Sequence, residues 1–440
     1  MEQQDRSRLH LLVWTVCALG LFIDGYLLYI SSIALPFINQ VYKPEAFELG
    51  LIQAAAPIGA AIGAICIGRI SDRIGRKSML IFNLVFFVAI TILSAMAWDV
   101  NSLIIFRFLI GFGVGMDYPI CAAYMAEMTP ASKTGKYMAA AMLINCLASP
   151  VGVLAAWLIF TLDPSLDAWR YMFASGAIPA IIALLLRAKL PESFLWQAHR
   201  RLIRQKKPGV TKAPFRTIFT TPYLKATIGF AIGWFFMNIA YYGIGLFTPM
   251  ILQSMHISAD ASFLSSAADM IKSTLIINLF IVLGAAVSIW AIGKIENVRL
   301  QKIGFLFAFI GLFAMAFSFS DSAYINMTLV FSGFILFNFF INLGPGITTY
   351  SLPAQYYPTE IRATGHGFAA GMAKFGAFLG TLFLPVLQQN IGIYATVALL
   401  SFTLLAGYLL SNLIPARHPK MHYPSTMSNN DEEKYELSAV

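Results

Sequence analysis

The sequence predicts an all-α membrane protein of twelve transmembrane helices arranged as two six-helix bundles. Three observations predict it. Of the 440 residues, 58% are hydrophobic and 12% charged, whereas soluble domains run near ~25% charged; mean hydropathy is +0.71. Apolar stretches of about 20 residues, enough to cross ~30 Å of hydrocarbon, recur along the whole chain. Lys and Arg concentrate in alternate connections between those stretches.

The spans fall near 11–37, 49–69, 79–98, 103–126, 137–161, 170–188, 225–252, 270–292, 303–319, 325–347, 363–387 and 391–413. Runs this long exclude barrel strands, which need ~9–11 residues. Their helical periodicity is weak because most faces of a packed membrane helix meet lipid or another helix. The first span is too long for a signal-peptide core and carries Asp24 and Tyr26, so it is not a cleaved leader. Cys17, Cys66, Cys121 and Cys146 lie within apolar spans without metal-ligand spacing and read as small core residues.

Orientation follows from the basic residues. With the N-terminus in the cytoplasm and residues at span ends counted with the adjoining loops, Arg107, Lys272 and Lys374 of the 30 Lys and Arg are assigned to spans, and Lys43 and Arg170 to the outer side. The rest collect on the inner side, while Glu45, Glu48, Asp99, Asp163, Asp167, Asp260 and Asp321 mark the outer loops. Both termini are therefore expected in the cytoplasm. The net charge of +9 is accounted for by inner loops lying against anionic lipid and calls for no nucleic-acid partner.

One inner connection is much longer than the others and divides the chain. An N-terminal bundle covers 1–189, a basic cytoplasmic linker 190–222, and a C-terminal bundle 223–414. The linker's first part is amphipathic and is expected to lie along the membrane as a short helix. The polar tail, 415–440, is expected to be disordered and is assigned no function. Between spans two and three runs Gly68-Arg-Ile-Ser-Asp72-Arg73-Ile-Gly75-Arg76-Lys77. Its counterpart in the second half starts at Gly293 and has its only acid, Glu296, one position early.

Asp24 stands in the middle of the first span. A carboxylate there costs at least ~2.5–3.5 kcal/mol, and chains that keep one usually turn it into a bundle interior or an aqueous cavity. One reading is a buried acid held by a neighbouring helix. The other is a proton site, because Asp117 lies in span four, and burial and a neighbouring like charge both favour a neutral carboxyl. Arg107, two to three turns before Asp117, would hold one acid ionised or pair with it structurally. Gly111, Gly113 and Gly115 allow close helix approach in lipid, for packing or for gating.

The stretch from Gly68 to Lys77 resembles the inner-loop motif of the major facilitator superfamily. Arg107-Phe-Leu-Ile-Gly111-Phe-Gly113-Val-Gly115-Met-Asp117-Tyr118-Pro119, followed by Ala126-Glu127, resembles the fourth span of phosphate–proton symporters. The segment from Asn342 through Gly346, Pro353, Pro358 and Arg362 to Lys374 resembles their tenth and eleventh spans. Phe22-Ile-Asp24-Gly-Tyr26 resembles aromatic-acid and metabolite–proton symporters, and Pro191-Glu-Ser is shared with sugar porters. The resemblance covers nearly the whole chain. It implies the major facilitator fold and a proton-coupled carrier working by alternating access.

The resemblance also implies site residues. Proton coupling falls to Asp24, Asp117 and Arg107. Candidate substrate contacts are Tyr26, Tyr118, Asn145, Trp234, Asn238, Tyr242, Asn342, Gly346 and Lys374. Trp234, Asn238 and Tyr242 recur every four residues on one helix face. Lys374 matches the family's cavity lysine and suits an anionic headgroup; its other reading is a structural counter-ion. The expected inner-face gating motif is Gly68, Asp72, Arg73, Gly75, Arg76, Lys77 and Glu127. Gln355 replaces an acid at the matching C-terminal place, so the gate is expected to be latched mainly on one side.

Four positions depart from the phosphate symporters. Asn238 and Leu27 stand for Asp, Gly346 for Asn, and Asn145 for Gln. Each change removes charge or bulk, so the cavity is expected to be roomier and less polar than a phosphate site. A small organic anion is expected in it, a carboxylate with an apolar or aromatic body. The alternatives are an inorganic phosphate or sugar symporter, a facilitator without ion coupling, and a proton-antiport exporter of a drug or siderophore. A metabolite-sensing membrane receptor is the non-transport alternative. No P-loop, HExxH or nucleophile elbow is present, so neither an enzyme nor an ATP-driven pump is expected. No metal or cofactor is expected beyond a proton gradient. The expected setting is a monomer in a bacterial inner (plasma) membrane.

Overall fold

The computed structural model describes residues 3–128, 131–188, 190–192, 197, 215–256, 263–292, 294–318, 326–357 and 359–415. Within its helices, the side chains of 3–8, 65–74, 76, 119, 122–123, 126–127, 131–136, 254–256, 265, 354–355 and 359–363 fall outside that description. So do the amphipathic part of the linker and the tail from 416 onward.

The first half comprises α1 (Gln3–Tyr42), α2 (Ala46–Ile74), α3 (Arg76–Ala95), α4 (Val100–Met128), α5 (Ala131–Leu162), α6 (Ala168–Ser175) and α7 (Ala177–Arg187). α6 and α7 form one pass, interrupted at Gly176. The second half comprises α8 (Leu224–His256), α9 (Phe263–Ala291), α10 (Asn297–Phe317), α11 (Met327–Leu343), α12 (Pro345–Tyr356) and α13 (Thr359–Leu410). α11 and α12 share a pass broken at Gly344, where Pro345 starts the new helix.

Eleven of these helical segments are long and apolar enough to cross a membrane. The last is α13, with 52 residues. Straight, it would reach about 78 Å, far beyond the ~30 Å hydrocarbon core. Gly392, at φ 76° and ψ 166°, breaks it into two arms, a conformation glycine adopts without a Cβ penalty. The first arm packs on α8 through Phe375 against Phe235, and the second on α10 through Phe402 against Phe313. The two arms supply spans eleven and twelve, and the twelve expected passes are present. Among the described residues no β-strand forms.

Large apolar side chains such as Phe82, Leu158, Leu185, Phe307 and Phe402 remain exposed on the outer faces. Polar side chains, Asp24, Gln53, Asn83, Arg107, Asp117, Arg187, Asn278 and Asn338 among them, are buried inside. This distribution suits a chain whose solvent is lipid. A close seam joins α2 to α4. A Cβ at Gly111 or Gly115 would run into the carbonyl of Ala56 or Ala60, and one at Gly59 or Gly63 into that of Phe108 or Phe112. Gly111 and Gly115 therefore let two backbones touch, as packing requires in a membrane; Gly113 faces the Phe87 ring instead. The halves meet through α1 on α8, α2 on α13 and α5 on α9.

Candidate functional site

A cavity lined by residues of both halves lies between them. From the first half it is lined by Asp24, Leu28 and Tyr29 of α1, Val114 and Tyr118 of α4, and Asn145 of α5. The second half contributes Tyr241, Tyr242 and Leu246 of α8, Asn278 and Ile281 of α9, Asn338 of α11 and Lys374 of α13.

Asp24 is 1% exposed, and neither carboxylate oxygen has a hydrogen-bond partner among the described residues. Asp117, Lys374 and Arg187 lie within its electrostatic reach. Lys374 Nζ donates to the Tyr242 hydroxyl at 2.9 Å and sits 5.0 Å and 5.1 Å from the ring centroids of Tyr118 and Tyr242. Such contacts hold an ammonium without neutralising it. Among the described residues no carboxylate forms a hydrogen-bonded ion pair with Lys374.

Asp117 is engaged on every side. Arg187 donates from Nη1 to Oδ1 at 2.8 Å and from Nη2 to Oδ2 at 2.9 Å. Asn83 Nδ2 donates to Oδ1 at 3.1 Å and Cys121 Sγ to Oδ2 at 3.3 Å. All four contacts are donors, an arrangement that suits the carboxylate form. Gly20 makes room for the pair, because a Cβ there would overlap both Arg187 Nη2 and Asp117 Oδ2.

The expected Arg107–Asp117 pairing is thereby corrected. The two residues share α4 at a separation of ten, about 15 Å along the axis. Arg107 instead donates to the Leu27 carbonyl and to Gln53 Oε1, each at 3.3 Å. Arg187, counted by sequence with the inner-side bases, is fully buried.

Of the candidate substrate contacts, Tyr118, Asn145, Tyr242 and Lys374 line the cavity with Asp24. The others do not. Tyr26 bonds Ser175 Oγ at 2.7 Å. Asn238 donates to the Ala373 carbonyl at 3.0 Å, and Trp234 packs edge-on against Tyr350 and His366. The face carrying Trp234, Asn238 and Tyr242 thus turns toward α12 and α13, and only Tyr242 reaches the cavity. Asn342 donates to the Asn338 carbonyl at 2.8 Å, and Gly346 lies beside Asn342 at the start of α12. Sequence reasoning missed Tyr29, Tyr241, Asn278 and Asn338. The two asparagines were findable as amides within apolar spans. These residues add four polar side chains to the cavity wall.

The halves are joined beside the cavity. The hydroxyls of Tyr29 and Tyr241 lie 2.7 Å apart, Ser32 donates to the Leu246 carbonyl at 2.7 Å, and Tyr118 meets Tyr350 edge-on. In the gating motif, Gly75 adopts φ 124° and ψ 156° between α2 and α3, a region essentially restricted to glycine. The Lys77 amide donates to Glu192 Oε1 at 3.1 Å. The Gly68, Asp72, Arg73, Arg76, Glu127 and Gln355 portion of the expected gate lies outside the described side chains, as does Cys66. Cys17, Cys121 and Cys146 are free and buried.

Residues 17–381 match the family model of the Major Facilitator Superfamily. The chain is 26% identical over 428 residues to the inner membrane metabolite transport protein YgcS of Escherichia coli (strain K12), covering 93% of this chain and 92% of that one. It is 24% identical over 504 residues to the low affinity inorganic phosphate transporter 1 of Petunia hybrida, covering 97% and 94%. Its fold is similar to that of the xylose transporter XylE from E. coli in a partially occluded inward open conformation. That likeness has a TM-score of 0.75 at 20% identity and covers 93% and 98% of the two chains. This chain belongs to the Major Facilitator Superfamily and is a multi-pass membrane transporter, not an enzyme.

Proposed function

We propose that this carrier imports a small organic carboxylate together with protons, by alternating access around the central cavity. The observation that carries the reading is the pairing of opposite, uncommitted charges in one cavity: among the described residues, Asp24 has no hydrogen-bond partner and Lys374 is held by a phenol and two rings. With Asp24 ionised, the two charges offset each other. Once Asp24 takes a proton, the ammonium is unopposed and the cavity attracts an anion. Proton and anion then travel together, and release of the proton weakens the hold on the anion.

The proton role falls on Asp24 alone. Asp117 is committed to Arg187, Asn83 and Cys121, and protonating it would forfeit an established set of bonds. Relatives that carry the names of metabolite and phosphate transporters support a small polar cargo. A single cavity ammonium, with Asn238 and Gly346 outside the cavity lining, supports a carboxylate headgroup. The E. coli relative's name supports placement in a bacterial inner membrane, and the basic inner loops support cytoplasmic termini. A proton gradient serves as the energy source, with no cofactor.

The test is uptake into proteoliposomes under an imposed proton gradient, screened across carboxylates, phosphate and neutral sugars. Carboxylates are expected to accumulate. Uptake of phosphate or a sugar in preference to every carboxylate would refute the reading.

A further inference from the structure

The cavity's carboxamides narrow the cargo further, given that it is a carboxylate. Asn145 Nδ2 bonds the Leu21 carbonyl, and Asn338 Nδ2 bonds the Phe334 carbonyl at 3.0 Å. A backbone carbonyl only accepts, so the amide atom facing it must be the nitrogen. The Oδ1 atoms of Asn145 and Asn338 are left over. Among the described residues neither accepts a bond, and neither is sealed away from the cavity. Asn278 also lines the cavity, and among the described residues its amide has no hydrogen-bond partner.

The charged donor lies elsewhere. The Tyr242 oxygen already accepts from Lys374, so its own proton is available to an anion beside the ammonium. One end of the cavity therefore offers an ammonium and a phenol proton, which suit a carboxylate. The remaining wall offers amide oxygens beside the carboxamides' spare N–H groups; a carboxylate cannot satisfy those oxygens, a hydrocarbon body would leave both unpaired, and a hydroxyl can donate to one and accept from the other.

We infer that the cargo is a hydroxycarboxylate, whose hydroxyl groups donate to Asn145 Oδ1 and Asn338 Oδ1 while its carboxylate meets Lys374 and Tyr242. This replaces the apolar or aromatic body expected from sequence. Each buried acceptor left unpaired costs about ten- to hundredfold in binding, and sites built to hydrogen-bond a hydroxyl strongly reject analogues that lack one.

The experiment measures binding and proton-driven uptake by the reconstituted full chain for matched acids: lactate against propionate, gluconate against hexanoate, and glucuronate against benzoate. D-Glucose and inorganic phosphate complete the panel. The best hydroxylated acid is expected to bind at least tenfold more tightly than its unhydroxylated match. Asn338→Leu and Asn145→Leu are each expected to shrink that ratio by about tenfold. Propionate, hexanoate or benzoate binding as tightly as the hydroxylated acids would overturn the inference while leaving the carboxylate reading standing. A ratio unmoved by both variants would also overturn it. Uptake of glucose or phosphate with no carboxylate taken up would overturn the carboxylate reading itself.

Discussion

Arg187 closes a two-pronged ion pair on Asp117, 2.8 Å and 2.9 Å on its two arms, with both side chains fully buried. The pair joins the end of α7 to the middle of α4 inside the first half, beside the cavity but not in its wall. Its neighbour Asp24, also buried, accepts no hydrogen bond from the described residues.

Breaking that pair on one side only should be severe. Arg187→Met leaves a buried carboxylate uncompensated, expected to cost about 3–5 kcal/mol. Thermal melting in detergent would show a large drop. The double variant Arg187→Met with Asp117→Asn should recover part of the loss, since it removes both charges. Additive losses in the double variant would argue that the two side chains are not coupled.

Asp24→Asn should uncouple transport. A permanently neutral side chain leaves Lys374 unopposed at every pH, so anion binding should persist and lose its pH dependence. In the unaltered protein, binding should tighten as pH falls and protonates Asp24. Counterflow exchange should survive in the variant while proton-driven accumulation is lost. Accumulation with its normal pH profile in Asp24→Asn would assign the residue a structural role.

Lys374→Gln should weaken carboxylate binding by about ten- to hundredfold, the worth of a charge-assisted hydrogen bond. The variant keeps a donor for Tyr242 but no charge. Isothermal titration with the best-bound acid gives the comparison; equal affinities would remove Lys374 from the site.

Gly20→Ala would ordinarily favour a helix by ~1 kcal/mol. Here the added methyl would overlap the guanidinium and carboxylate of the Arg187–Asp117 pair, and overpacking of that kind costs about 1–3 kcal/mol. Net destabilisation is expected on melting. Stabilisation would mean that the pair is looser than its geometry.

The class of protein, the number of passes and the two exceptional charges Asp24 and Lys374 were legible in the residues alone. Hydropathy over about 20 residues is a local property, and the cost of a charge inside an apolar run needs no knowledge of its neighbours. The family motif from Gly68 to Lys77 is likewise contiguous. The partner of Asp117 was not legible, because Arg187 lies 70 positions away and falls where a span meets a basic loop. Nor was the turning of Asn238 toward Ala373 while Tyr242, one turn on, enters the cavity. Successive residues on a helix point about 100° apart, so a small rotation of α8 or α4 moves a side chain from cavity to core. Sequence by itself determined a twelve-pass carrier with an acid and a base in apolar helices. Helix rotation and close approach decided which acid is bound by a partner, which is free, and which way the cavity amides face.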